Sequence, residues 1–242
     1  MIFLKNLRQK NKFYLENKFK VQFQITNQIH QKKKNFQPTQ SDIHLKMQKT
    51  EENFIMACQF GIQEIIDENL NDSFSLNYVN YFGQTPLMIS IIANKPEIAQ
   101  KLLKSNLIKI DQKTHLENKT HLMYACEKGY SGIIQTLLSK GARADDCDSQ
   151  GRTALHYAIM NKLFGVAQVL IRSDSNIINI QDVEGRTALH YALSQKVVEK
   201  SIVNLLLNAG AKDLEDIFLK KPSDLASKEL QSEILLILEK KL

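Results

Sequence analysis

Two histidines, His156 and His190, hold the same place in two copies of the string Gly-Arg-Thr-Ala-Leu-His-Tyr-Ala. Imidazole nitrogens are frequent zinc ligands, but a protein zinc site uses at least three side chains. No third ligand accompanies the two histidines. We therefore predict a structural role for both and no metal site.

The segment 146–151, Asp-Cys-Asp-Ser-Gln-Gly, imitates the opening of a calcium-binding loop. The twelfth position of such a loop carries a glutamate that binds the ion through both carboxylate oxygens. Here that position is Tyr157. Asp148 and Gly151 are residue types expected in a turn, so we predict a turn and no calcium site.

The three cysteines, Cys58, Cys126 and Cys147, are odd in number and far apart, which is typical of a reducing compartment. Cys58 and Cys126 each follow an alanine of a predicted helix, and we expect them to be buried. Cys147 lies nearer a loop and is expected to be the most exposed thiol. The chain has no nucleophile elbow, phosphate-binding loop, dinucleotide fingerprint or zinc-protease motif. It is predicted to be non-catalytic and to need no cofactor.

The net charge of +6 is unevenly divided along the 242 residues. Residues 1–49 hold eleven Lys or Arg and two acids, a balance of +9, whereas residues 50–242 hold 21 basic and 24 acidic residues, a balance of −3. The first 49 residues are rich in Lys, Gln and Asn, and we predict a disordered basic tail there. A transit peptide is one alternative, and a segment upstream of a true start at Met47 is another.

Neither a membrane span nor a secretory signal is visible in the sequence. The longest apolar runs, such as residues 234–238, have five residues, against the roughly 18 that cross a bilayer. Charges interrupt the beginning of the chain, where a secretory signal needs an apolar stretch of about 7–15 residues. We expect no transmembrane segment and a cytoplasmic location, with the nucleus as the alternative.

Beyond residue 50 the sequence repeats. When GQTPLMIS, NKTHLMYA and the two copies of GRTALHYA are aligned, their threonines recur at nearly equal intervals, as Thr85, Thr120, Thr153 and Thr187. A second column holds small residues only: Ala57, Ser90, Ala125, Ala158, Ala192 and Ala226. Six units of about 33 residues account for residues 50–242.

Each unit predicts a pair of helices. A glycine-centred turn precedes a short helix that begins at Thr-Pro or Thr-Ala, since proline is favoured in the first helical turn. After a break, at Gly61, Gly129 or Lys95-Pro96, comes a second helix with an apolar face. The small-residue column allows the helices of neighbouring units to approach closely.

The period, the Thr-Pro-Leu-His-x-Ala pattern and a Leu-Leu-x-x-Gly-Ala pattern after the second helix resemble ankyrin repeats over about four-fifths of the chain. The resemblance implies an all-α solenoid of stacked helix-turn-helix units with projecting β-hairpin loops, forming one domain over residues 50–242. It also implies that His156 and His190 tie the turn to the helix start through Thr153 and Thr187.

Several residues depart from the ankyrin pattern. Met88 and Met123 replace the histidine, Asn118 replaces the turn glycine, and His121 replaces the proline. Asparagine tolerates a positive φ better than most residues, so we expect the third turn to form. The first and last units resemble capping repeats.

The resemblance implies a protein-binding module or scaffold that grips another protein, of unknown identity, with its turn tips and concave helix face, and that takes no small-molecule substrate. The predicted partner-binding tip residues are Tyr81, Phe82, Gln84, Leu116, Glu117, Lys119, Ser149, Gln150, Arg152, Val183, Glu184 and Arg186. The helix-side candidates are Ile92, Glu127, Lys128, Met160, Asn161, Ser194 and Gln195. One alternative is that the apolar tips only pack on adjacent tips. Another is that residues 1–49 bind nucleic acid or an anionic membrane surface.

Overall fold

The computed structural model describes residues 51–71, 76–195 and 198–239. Within these ranges the chain forms eleven α-helices and two 3-10 helices and has no β-strand, which confirms the all-α prediction. The predicted basic tail over residues 1–49 lies outside the described residues, and so do its two alternatives.

The helices come in consecutive pairs, one pair to each predicted repeat. The first five pairs are α1 (Glu51–Phe60) and α2 (Gln63–Asn69), α3 (Pro86–Ile92) and α4 (Pro96–Leu103), α5 (His121–Lys128) and α6 (Ser131–Ser139), α7 (Ala154–Met160) and α8 (Phe164–Ser173), and α9 (Ala188–Leu193) and α10 (Lys200–Asn208). The sixth pair joins a 3-10 helix (Pro222–Leu225) to α11 (Lys228–Glu239), and another 3-10 helix (Ser175–Asn179) follows α8.

Four of the first helices, α3, α5, α7 and α9, begin directly after the aligned threonines because those threonines cap them. The Thr85 hydroxyl accepts a hydrogen bond from the Met88 N–H at 3.1 Å. At the fourth repeat the cap is reciprocal, since Thr153 also donates its own N–H to the ring of His156. A capping oxygen satisfies a backbone N–H that has no partner inside the helix.

The small-residue column lies where neighbouring first helices pack. Ala57, Ser90, Ala125 and Ala158 are fully buried. Helix α3 packs against α1 and α5, and α7 packs against α5 and α9. A larger side chain in this column would force the helices apart.

The second helices supply the other side of the core. Leu102, Leu137, Leu170, Leu206 and Ile234 are fully buried, one in each of α4, α6, α8, α10 and α11. Helix α6 packs between α4 and α8, and α10 packs between α8 and α11. The apolar core therefore runs continuously through the described repeats.

Candidate protein-interaction surface

The turns that precede the first helices are each closed by one side-chain acceptor. Oδ1 of Asp148 accepts the N–H groups of Gln150 (2.8 Å) and Arg152 (2.9 Å). The same column holds Asn80, Thr114, Asp182 and Asp216 in the other four described turns, where they accept equivalent bonds. Asp148 was predicted as a turn residue, but the column as a whole was not. Its members recur every 34 residues, and this constant interval is the signal that reveals the column.

Backbone hydrogen bonds join each turn to the next. The donor N–H and acceptor carbonyl pairs are His115 to Phe82 (2.9 Å), Ser149 to Glu117 (2.8 Å), Val183 to Gln150 (2.9 Å) and Ile217 to Glu184 (3.0 Å). We call the five linked turns the tip ridge, comprising residues 80–84, 114–119, 148–152, 182–186 and 216–220. In place of paired strands the loops contain an isolated bridge, Lys113–Thr120, within the described ranges.

Two turn glycines are required by this stacking. Gly151 and Gly185 have φ of 73° and 76°, which disfavours a side chain. A Cβ on Gly185 would also lie 2.9 Å from the Cα of Asp216 in the next turn. Asn118 takes a φ of 52° in the third turn, so the predicted asparagine turn does form.

The four apolar residues predicted at the tips are exposed to solvent. Leu116 is 75% exposed, and Tyr81, Phe82 and Val183 are also exposed. The rings of Tyr81 and Phe82 meet edge to face with centroids 5.6 Å apart. Adjacent tips therefore leave these side chains largely uncovered, and a rigid backbone presents them.

The cationic tip residues Lys119 and Arg152 form ion pairs with neighbouring side chains. The Lys119 ammonium lies 2.9 Å from a Glu127 carboxylate oxygen and 5.0 Å from the ring centroid of Tyr157. Arg152 pairs with Asp148 at 3.2 Å. These contacts orient the cations, so they are less free to reach a partner than their place in the sequence suggests.

The remaining polar tip residues have simpler surroundings. Arg186 pairs with Glu184 at 2.7 Å. The Gln84 amide oxygen accepts a bond from the Asn80 side chain. Glu117, Ser149 and Gln150 are exposed.

Two tyrosines behind the tip ridge donate hydrogen bonds to its aspartates. The hydroxyl groups of Tyr157 and Tyr191 donate to Oδ2 of Asp148 and Asp182, each at 2.6 Å. Burial alone would raise the pKa of Asp148, but the bonds from Tyr157 and from backbone N–H groups hold it below its ordinary value. Burial and the bond to Asp182 raise the pKa of Tyr191 to about 12. These tyrosines were not among the predicted residues, although both stand one residue after an aligned histidine.

The aligned histidines connect one repeat to the next. Because Nδ1 of His156 accepts the Thr153 N–H, its Nε2–H is free to donate to the Arg186 carbonyl at 3.3 Å. His190 bonds the Lys220 carbonyl in the same way at 3.1 Å. The implied tie between turn and helix is present and extends into the following turn. Burial lowers the pKa of His156 to about 4.

His121 is fully buried between repeats two and three. Its Nδ1–H donates to the Ile110 carbonyl at 2.8 Å, and Nε2 lies 2.8 Å from the Thr85 hydroxyl oxygen. Burial lowers its pKa to about 4, so the ring is neutral near pH 7 and accepts the hydroxyl proton. In the part of the chain that the structure describes, no three His, Cys, Asp or Glu side chains form a metal-binding group.

The cysteines are not activated as nucleophiles. Burial raises the pKa of the Cys58 thiol to about 12 and also raises that of Cys126. Cys147 is the most exposed of the three, as predicted, and burial with the nearby Asp148 charge raises its pKa too. A thiol with a raised pKa is a poor nucleophile at neutral pH.

Some of the helix-side candidates are engaged in contacts within the chain, and others are exposed. The Gln195 side chain donates to the Ile159 carbonyl of the preceding repeat, and Ile92 packs against the core. Glu127 is held by Lys119. Those left exposed at the ends of the first helices are Lys128, Met160, Asn161 and Ser194.

A fifth tip, residues 216–220, was missed by sequence analysis. Ile217, Phe218 and Leu219 in this turn are 62%, 62% and 76% exposed. The turn escaped notice because Leu219 stands where three of the four preceding turns have glycine. Asp216, placed one full repeat after Asp182, was the available signal.

A family described as ankyrin repeats (3 copies) matches residues 54–148 and 122–217, which together are more than half of the chain. This chain belongs to the ankyrin repeat family. A solved ankyrin repeat domain from Acinetobacter baumannii is 26% identical, with a TM-score of 0.68 over 78% of this ankyrin repeat chain and 97% of the other.

The curated relatives of this ankyrin repeat chain are much longer proteins. Neurogenic locus notch homolog protein 1 of Mus musculus is 24% identical over 137 residues, which is 56% of this chain and 5% of that protein. Glycerophosphocholine phosphodiesterase gde1 of Schizosaccharomyces pombe is 30% identical over 117 residues, 48% of this chain and 10% of that protein. The chain therefore spans a small part of each relative, and the second match gives no ground for a phosphodiesterase activity here.

Ankyrin repeats are in general protein–protein interaction modules, and the fold is typically non-catalytic. Among the described residues, no helix combines the length and apolar character needed to cross a bilayer.

Proposed function

We propose that this ankyrin repeat chain is a non-catalytic scaffold that binds a partner protein through the tip ridge and the adjoining concave helix face. The observation that carries the proposal is a set of exposed apolar side chains on turns that hydrogen bonds hold rigid. Single exposed apolar residues are ordinary, but groups of them on neighbouring turns, such as Tyr81, Phe82 and Leu116, mark an interaction surface.

The rigidity of the ridge favours binding. Each described turn is closed by its own acceptor and bonded to its neighbour, so little conformational freedom is left to lose when a partner binds. Large apolar and aromatic side chains usually supply most of the energy of an interface. We assign that role to Tyr81, Phe82, Leu116 and Val183, with the ion-paired Lys119, Arg152 and Arg186 as polar contacts around them.

Capture with the full chain tests this function. The tip variant Tyr81→Ser, Phe82→Ser, Leu116→Ser, Val183→Ser removes the exposed apolar groups of four turn positions. The control variant Leu107→Ser, Phe164→Ser removes exposed apolar groups that lie outside both the tip ridge and the first helices. Proteins held by the wild type and by the control, but lost by the tip variant, support the proposal. Equal recovery by all three contradicts it.

The +9 charge of residues 1–49 supports one second candidate, binding of nucleic acid or an anionic membrane by that segment. Such binding weakens steeply with salt because it releases counterions. A duplex DNA or anionic vesicle titration at two salt concentrations, with and without residues 1–46, separates it from binding by the ridge. A cytoplasmic location remains a prediction.

A further inference from the structure

The apolar side chains of the tip ridge fall into two clusters. The N-terminal cluster comprises Tyr81, Phe82 and Leu116 in the second and third repeats, and the C-terminal cluster comprises Val183, Ile217, Phe218 and Leu219 in the fifth and sixth. The fourth turn between them presents Ser149 and Gln150, which are polar and exposed. The ridge is therefore apolar at both ends and polar in the middle.

Leu219, in the C-terminal cluster, adopts a backbone conformation that leucine disfavours. Its φ is 59°, in the left-handed region, where a residue with a bulky side chain is rare. Gly83, Gly151 and Gly185 fill this column in three of the preceding turns, and Asn118 fills it in the third repeat. No further turn stacks on 216–220 within the described ranges. An unfavourable conformation kept at an exposed apolar residue points to a role for that side chain.

The turn 216–220 is the last turn of the ridge within the described ranges, and Leu219 is 76% exposed there. The C-terminal cluster is therefore open to a binding partner.

The charges that directly follow Leu219 and Leu116 differ in sign, and Glu184, beside Val183, is paired with Arg186 at 2.7 Å. Lys220 and Lys221 follow the C-terminal cluster directly, and both are exposed. Lys221 has a distant pairing with Glu215 at 3.8 Å. Glu117 follows Leu116 in the N-terminal cluster and is likewise exposed. A partner with carboxylates near the C-terminal cluster would complement these charges.

The spacing of the turns sets the spacing of the contacts. Backbone segments that are hydrogen-bonded side by side lie about 4.8 Å apart. Each turn contains two such segments, so successive turns of the ridge are about 10 Å apart. The clusters are centred three repeats apart, which corresponds to about 30 Å. An extended peptide rises about 3.3 Å per residue and covers that distance in about nine residues.

We propose that the tip ridge binds an extended segment of a partner protein that carries two apolar clusters about nine residues apart, with carboxylates beside the cluster that meets Ile217, Phe218 and Leu219. This inference rests on the proposed function and names the kind of partner. A protein is favoured over a lipid bilayer because Glu117 and Glu184 lie beside the apolar tips. A protein can offer a carboxylate a donor, whereas hydrocarbon cannot.

The probe is an array of synthetic peptides, each with two Leu-Phe pairs joined by proline-rich spacers of graded length, from about two to fourteen residues, which stay extended at about 3.1 Å per residue. Asp-Glu pairs are placed beside one cluster, beside the other, or beside neither. The labelled full chain should bind best when the spacer holds the clusters about nine residues apart, with acids beside one cluster. Leu219→Gly with Phe218→Ser should weaken that binding at least tenfold, and so should Phe82→Ser with Leu116→Ser. Leu107→Ser is the control and should leave it unchanged.

Binding that is independent of the spacer, or unaffected by Leu219→Gly with Phe218→Ser, overturns the inference. The proposed function survives that result if the four-site tip variant still loses captured proteins, and it fails as well if that variant captures them normally. Absence of binding to every peptide also overturns the inference. Vesicles of phosphatidylcholine with phosphatidylserine form a second probe, and ridge-dependent binding to them would overturn it in favour of a bilayer.

Discussion

Nε2 of His121 lies 2.8 Å from the hydroxyl oxygen of Thr85 and so joins the third repeat to the second. In the fourth and fifth repeats, a histidine three residues after the threonine makes both the cap and the bond to the next turn. The second repeat has Met88 at that position. His121 therefore supplies from the neighbouring repeat a ring that the second repeat lacks.

Replacing His121 should loosen this junction. His121→Ala removes two buried hydrogen bonds and leaves a cavity, so the free energy of unfolding should fall by about 2–4 kcal/mol. The exposed His115 provides the control, and His115→Ala should cost less than about 1 kcal/mol. Urea unfolding of both variants measures the difference, and equal losses would show that the His121 contact contributes little.

The buried histidines should make stability depend on pH. Burial lowers the pKa of His121 and of His156 to about 4, against about 6.5 in the unfolded chain. The unfolded state then binds more protons in acid, so stability is full above pH 6.5 and is lost as pH falls towards 4. Between pH 7.5 and 5.0 each histidine should remove about 2 kcal/mol. Urea unfolding at both pH values should show a smaller loss for His121→Asn than for the wild type. An identical loss would mean that His121 is protonated in the folded state.

Leu219 and Gly185 share a column and should respond in opposite ways to substitution. Leu219→Gly relieves a left-handed leucine and removes a side chain that is largely exposed. We expect a gain of about 0.5–1 kcal/mol in the free energy of unfolding. Gly185→Ala introduces a Cβ beside the Asp216 backbone at a φ of 76° and should cost about 2–4 kcal/mol. Thermal and urea unfolding check both signs. A loss of stability in Leu219→Gly would show that the leucine packs within the chain.

The tyrosine behind the fourth turn should stabilise it. Tyr157→Phe deletes a 2.6 Å hydrogen bond to the buried Asp148 carboxylate, which should cost about 1.5–3 kcal/mol. Tyr130 bonds Asn94 at 3.3 Å near the surface, so Tyr130→Phe should cost less than about 0.5 kcal/mol. Comparable urea midpoints for the two variants would exclude the proposed support of the ridge.

The period of the chain was sufficient to predict the fold. Threonine caps and small residues recur because each repeat packs on the next in the same way, so Thr85 and Ala125 could be assigned without a structure. The role of His121, which supplies the ring that the second repeat lacks at Met88, could not be predicted, because the contact joins different columns of two repeats. The turn at Asp216 was hidden because Leu219 stands at the position that glycine holds in the preceding turn.

The tip residues show a second limit of the sequence. Their places on exposed turns followed from the repeat pattern. The pattern does not encode which cations are already paired, and Lys119 and Arg152 proved to be held by Glu127 and Asp148. Ion pairs of this kind depend on side chains from different elements and on burial, which emerge only in three dimensions.

The most direct measurement of the central claim is a calorimetric titration of the protein captured by the full chain. The wild type and the Leu107→Ser, Phe164→Ser control should bind it with equal affinity. The Tyr81→Ser, Phe82→Ser, Leu116→Ser, Val183→Ser variant should remain folded and bind at least tenfold more weakly, because exposed apolar and aromatic side chains supply most of the binding energy of an interface. Unchanged affinity in that variant, with its circular dichroism intact, would contradict binding through the tip ridge.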